Sequence, residues 1–94
     1  MGHDLKCWTH EWDAVESGVK RFEVRSNLDR DFAVDDVLFL RKYDPAARAY
    51  IKDDGTESSQ AGLAETLIMR VTYVLHGGRF GLPPGLCVMG IEPR

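Results

Sequence analysis

Lys20, Glu23 and Arg25 fall within the stretch GVKRFEVR, Gly18 to Arg25, and between them carry the groups of a recognition or acid–base site. On a regular strand, Glu23 and Arg25 leave the same face because they are two residues apart. Lys20 sits at a helix-to-strand junction, where strand parity does not fix its direction. Turned inward, it would complete a set of two cations and one carboxylate. Such a set suits a nucleobase: the carboxylate accepts from an exocyclic amine or ring N–H, and Arg25 donates to a carbonyl or phosphate. Trp8, Trp12, Tyr43 or Phe80 could stack on the base, although Trp8 and Trp12 read first as core. The same residues also suit hydrolysis. A desolvated Lys20 with a depressed pKa would be a base, or Glu23 would be the base while a cation stabilises developing negative charge. No nucleophile motif such as G-x-S-x-G accompanies them. The plainest alternative is an ion-paired, solvated strand face with no ligand, and spacing alone favours it.

Other candidates are weaker. His3, Cys7 and His10 look superficially like metal ligands, but no fourth ligand cluster follows, so no metal is expected. Gly77, Gly78 and Gly81 could let a backbone approach a phosphate beside Arg79, yet the spacing is not a P-loop. Arg79 and Phe80 remain candidates for a cleft edge. Asp29-Arg30-Asp31 follows Arg25 closely enough for Arg30 to border the same pocket.

The elements that must position these residues are short. His3 to Trp8 reads as a strand. Thr9 then caps a helix that carries Trp8, Trp12 and Val15 on one stripe and stops at Gly18. Val19 to Ser26 alternates, with Phe22 and Val24 assigned to the core and Arg21, Glu23 and Arg25 to the opposite face. Asp36 to Asp44 is the strongest strand signal, Tyr50-Ile51 begins a return strand, and Asp53 to Gly62 reads as a surface loop. Glu65 to Leu75 is a long strand whose one face is Leu67, Met69, Val71, Tyr73 and Leu75. Leu86 to Ile91 closes the chain. One N-terminal helix and about five or six strands in so short a chain predict an α+β, mainly β fold: a small, partly closed barrel.

Composition sets the outer limits. The 94 residues suffice for a single domain, 1–94, and the hydrophobic share of 44% supports a packed core. No apolar run is long enough to span a membrane. Asp4, Lys6, His10 and Glu11 interrupt any signal-peptide core, so a cytoplasmic protein with two reduced thiols, Cys7 and Cys87, is expected. The net charge of −3 argues against coating long duplexes, but not against binding one nucleotide or a short single strand.

Four ordered blocks, HDLKCW, AVESGVKRFEVR, DRDFAVDDVLFLRKYDP and VTYVLHGGRFGL, resemble the DUF3850 family, an ASCH-type group within the PUA-like superfamily. The signature G-x-K-x-x-E-x-R is met by Gly18, Lys20, Glu23 and Arg25. The resemblance implies a PUA-like/ASCH β-barrel with a cleft beside the first helix, lined by Lys20, Glu23 and Arg25. It adds His3 and Lys6, which match the opening H-x-L-K pattern. It implies RNA or a nucleotide as partner; no membrane partner and no cofactor are expected. Some relatives of this superfamily are hydrolases, a ribonuclease and an amidohydrolase of an acetylated cytidine. The latter has a threonine where this chain has Glu23, so the resemblance favours binding here. A small hydrolase using Lys20 and Glu23 is the alternative. A third reading, an interaction module that lost its ligand, predicts a filled cleft and a solvent-screened Glu23–Arg25 pair. The resemblance further places Asp35 where relatives carry glycine, a turn position that aspartate tolerates at positive φ.

Overall fold

The computed structural model describes the whole chain, Met1–Arg94. Its elements run β1 (Gly2–Trp8), α1 (Thr9–Glu16), β2 (Phe22–Ser26), β3 (Val37–Asp44), β4 (Ala49–Ile51), β5 (Glu57–Ser58), β6 (Thr66–His76) and β7 (Leu86–Pro93), with a 3-10 turn at Ala61–Leu63. The fold is mainly β with one α-helix, as the alternation of apolar and polar residues predicts.

All seven strands join one sheet. It runs β2-β7-β6-β3 through antiparallel pairs and then forks. Along Val37–Tyr43, β3 pairs in parallel with β1; at Tyr43 and Asp44 it pairs with β4, which in turn pairs with β5. The expected barrel therefore does not close. The two strands that would complete it, β1 and β2, share no ladder, and a side chain spans the seam instead: Arg25 Nη2 donates to the Lys6 carbonyl at 2.8 Å. Asp53–Gly62, expected as loop, holds β5. A tight turn precedes that strand, in which Asp54 accepts hydrogen bonds from the Thr56 backbone N–H and hydroxyl.

The core lies on the inner face of this curled sheet. Leu5, Cys7, Leu38, Leu40, Met69, Val71, Cys87, Met89 and Ile91 supply it from the strands, Trp12 and Val15 from α1, and Phe32 from the loop before β3. Trp12 is anchored as well as buried, because its indole N–H donates to the Leu40 carbonyl at 2.9 Å. Helix α1 begins one residue earlier than expected. Trp8 occupies the cap position, Thr9 is the first helical residue, and no side chain caps the helix. Its end is as predicted: Gly18 adopts φ +83°, a conformation that costs other residues strain. Asp35 does take the positive φ, at 75°.

Two strands depart from their expected faces. In β2 the polarity is inverted: Glu23 is buried while Phe22 and Val24 are nearly half exposed. Pairing explains this, since Glu23 lies opposite Met89 and Arg25 opposite Cys87, both wholly buried on β7. In β6 the register shifts between Val71 and Tyr73, and a bulge there reverses the alternation. Tyr73 turns outward and Val74 packs on the core. The side chain of Thr72 fits because β7 offers Gly90 at that point; a Cβ there would stand 2.6 Å from Thr72 Oγ1.

Candidate functional site

Burying a strand's charged face requires those charges to neutralise one another, and β2 meets the requirement in the open seam. Arg25 Nε donates to Glu23 Oε2 at 2.9 Å, and Nη2 lies at the same distance from that oxygen. Arg25 thus binds Glu23 with one edge and the β1 backbone with Nη2. It positions the carboxylate and ties the two edge strands of the sheet together.

The end of α1, rather than strand parity, aims Lys20. Its backbone N–H donates to the Ala14 carbonyl at 3.0 Å, one of three such bonds closing the helix. This turns its side chain into the seam. There Nζ donates to Glu11 Oε2 at 2.9 Å and stands 3.5 Å from Glu23 Oε1. Burial alone would lower the Lys20 pKa, but the Glu11 hydrogen bond and the Glu23 charge outweigh it and raise the value. The depressed pKa expected of a lysine base is therefore contradicted; this ammonium is held charged.

Glu23 is 2% exposed, yet its Oε1 accepts no hydrogen bond. Lys20 is near enough to attract that oxygen but does not donate to it. An unbonded buried acceptor costs about 1–3 kcal/mol, and here the orphan oxygen belongs to a residue that lines an open cleft. The cleft has a volume of about 380 Å³, between Lys6, Cys7 and Trp8 of β1 and Phe22, Glu23, Val24 and Arg25 of β2, with Glu11 and Lys20 at the helix end. It is neither filled nor built on a solvent-screened Glu23–Arg25 pair, so the two features expected of a module that lost its ligand are both missing.

Trp8, expected in the core, is 59% exposed on the β1 lip. As the last residue of β1 it follows the outward parity of Asp4 and Lys6 and does not join the buried stripe of α1. Cys7 faces inward, and its thiol is pushed up to about 12, first by burial and then by the Glu23 charge. Such a thiol is a poor nucleophile at neutral pH. Cys87 is also buried, and the two thiols are free.

Of the predicted site residues, Lys6, Lys20, Glu23 and Arg25 converge. His3 and Arg30 do not join them: they line a separate cavity with Asp29, Asp31 and Asp36. His3 is buried there, its Nε2 2.8 Å from Asp36 Oδ2 and its ring stacked at a tilt on Phe32. Arg79 and Phe80 line neither space. Phe80 is 86% exposed in the connection between β6 and β7. Gly77 in that connection permits close packing, since a Cβ there would lie 1.9 Å from the Pro83 carbonyl oxygen. His3, Cys7 and His10 do not assemble, and no group of three or more acidic, histidine or cysteine side chains is placed to hold a metal. Sequence reasoning missed Glu11 and Phe22 as lining residues. Glu11 lies nine positions before Lys20, and only the helix-to-strand geometry brings the two together.

A mainly β domain whose sheet stops short of closure, with buried charges in the gap, is the class that fold and site define. The chain belongs to the DUF3850 family, described as a domain of unknown function, whose model matches residues 2–91. No curated protein matches it. No helix is long and apolar enough to cross a membrane.

Proposed function

We propose that this is an ASCH-type, PUA-like domain that binds RNA or a nucleotide by taking a base into the seam between β1 and β2. The observation that carries the reading is Glu23 Oε1, a buried acceptor that accepts no hydrogen bond, with the Lys20 ammonium 3.5 Å away, beside an open cleft. A ligand that brings an N–H to it would relieve the desolvation cost already present in the free protein. Nucleobases offer such donors on ring nitrogens and exocyclic amines. Trp8 on one lip and Phe22 on the other offer apolar surfaces to a flat ring. Lys20 and Lys6 supply positive charge for a carbonyl or phosphate, while Arg25 holds Glu23 in position.

Binding is preferred to hydrolysis because Lys20 is held protonated and the Cys7 thiol is unreactive, which leaves only the ion-paired carboxylates Glu23 and Glu11 as bases. Titrating nucleosides, mononucleotides and short RNAs, followed by amide NMR shifts, tests the proposal. Residues 6–8 and 20–25 should move saturably. Silent resonances in both segments at millimolar ligand would contradict it. Incubation with RNA and acylated nucleosides covers the hydrolytic alternative, which requires turnover that Glu23→Gln abolishes.

A further inference from the structure

Resting on the reading of the seam as a base site, we infer that the outer face of β1, β3 and β4 continues it as a stacking track, and that the ligand is a single-stranded polynucleotide rather than a free mononucleotide. Three aromatic residues stand in register across these strands. Trp8 pairs with Tyr43 in the parallel β1–β3 ladder, and Tyr43 pairs with Tyr50 across β3–β4. Paired residues on neighbouring strands project to the same side, so the three form one row, two strand spacings or about 10 Å long. Trp8 opens the row at the cleft, which it also lines. The Tyr43 and Tyr50 rings meet edge to face with centroids 5.0 Å apart.

Lys6 joins the cleft to the row. It lines the cleft, and its Nζ lies 4.5 Å from the Tyr43 ring centroid and 5.9 Å from that of Tyr50. Lys6 takes part in none of the ion pairs of the domain. Its ammonium can leave the ring for a phosphate without breaking a salt bridge. Aromatic side chains in sequence with an unpaired cation form a track for successive bases and the phosphate between them, and stacking of this kind tolerates any base. The net charge of −3 fits such a track better than a phosphate-coating groove.

The probes are the four 5′-ribomononucleotides and the hexamers rA6, rC6, rU6 and dT6, titrated with Trp fluorescence and NMR. At least one hexamer should bind about tenfold or more tighter than the best mononucleotide, the gain of one added stacked base. Its affinity should depend on salt with a log–log slope near about −0.7 for each phosphate contacted. Tyr50→Leu should remove most of the hexamer's gain and leave mononucleotide affinity unchanged, whereas Tyr50→Phe should keep the gain. Upfield shifts of the Tyr50 ring protons in the wild-type hexamer complex give the same answer without a variant. If mononucleotides shift the cleft resonances and no hexamer binds tighter, the track is wrong and the cleft reading stands. If neither class of ligand binds, both are wrong.

Discussion

Two carboxylates in this domain are nearly wholly buried, Asp36 and Glu23, and each lies beside a basic partner. Their surroundings differ in one respect. Asp36 Oδ2 accepts from the Ala33 backbone N–H at 3.0 Å and meets His3 Nε2 at 2.8 Å, and neither of its oxygens is orphaned. Its own backbone is bonded on both sides, to the Ala33 carbonyl and to the Val71 N–H. Glu23 is held on one oxygen by Arg25 and left unbonded on the other. Saturated hydrogen bonding marks Asp36 as a pin that fastens the loop before β3 to the sheet. On the proposed reading Glu23 Oε1, which accepts no hydrogen bond and has the Lys20 ammonium 3.5 Å away, is the acceptor offered to a ligand. Burial and charge alone do not separate the two cases; the count of partners does.

The largest effect should come from breaking the saturated pair. Asp36→Ala leaves His3 buried without its partner and should cost about 3 kcal/mol, read as a lower urea midpoint, with ligand binding at the seam unchanged. A loss below about 1 kcal/mol would remove the distinction between pin and site. Next comes Glu23→Gln, which should act on binding more than on stability. Its side chain keeps an acceptor for Arg25 but loses the charge that offsets Arg25 and Lys20, so stability should fall by about 1–2 kcal/mol, less than for Asp36→Ala. The amide nitrogen cannot accept a ligand's N–H, so affinity should fall about tenfold or more.

The dependence of stability on pH separates the two regions further. Burial would raise the Asp36 pKa, but the hydrogen bonds from His3 and Ala33 outweigh it and lower the value. A folded-state pKa below the unfolded one means that the stabilisation is fully present above about pH 3.9, the ordinary aspartate value, and is lost as pH falls through the folded value. Asp36→Asn should flatten that acid limb. The Cys7 thiol behaves in the opposite sense. Its folded value is raised from 9.0 to about 12, so its contribution is complete below pH 9.0 and is lost on the way to about 12. Cys7→Ala should flatten the alkaline limb. The smallest effect belongs to Glu11→Gln at the half-exposed rim of the cleft. It keeps an acceptor for Lys20 Nζ but removes the negative charge beside it, should leave the urea midpoint where it was, and should modestly strengthen binding of phosphorylated nucleotides relative to nucleosides.

Much of this was legible in the sequence, with failures of a consistent kind. Alternation located β2 and β6 and put Glu23 and Arg25 on one face. It did not say which face is inner, because apolar Phe22 and Val24 claim the core by composition. The sheet instead pairs Glu23 and Arg25 with Met89 and Cys87, and mutual neutralisation makes that burial tolerable. The bulge in β6 had no local signal, since the glycine that makes room for Thr72, Gly90, lies on another strand. Lys6, Lys20, Glu23 and Arg25, which converge in the seam, are all legible in the sequence. His3 and Arg30 line a second cavity instead, because sequence order does not show that β1 runs past the cleft. The unclosed barrel had no signal in the sequence either. It depends on β1 and β2, neighbours along the chain, standing at separate edges of one curled sheet.

The central claim is that Glu23 Oε1 accepts a hydrogen bond from the ligand while Asp36 remains a structural pin. Carboxyl carbon-13 NMR of protein labelled at glutamate and aspartate side chains observes both groups in one titration with the four mononucleotides. The Glu23 resonance should shift saturably with at least one of them while Asp36 stays fixed. A ligand that moves Asp36 and not Glu23, or four ligands that move neither at millimolar concentration, would contradict it.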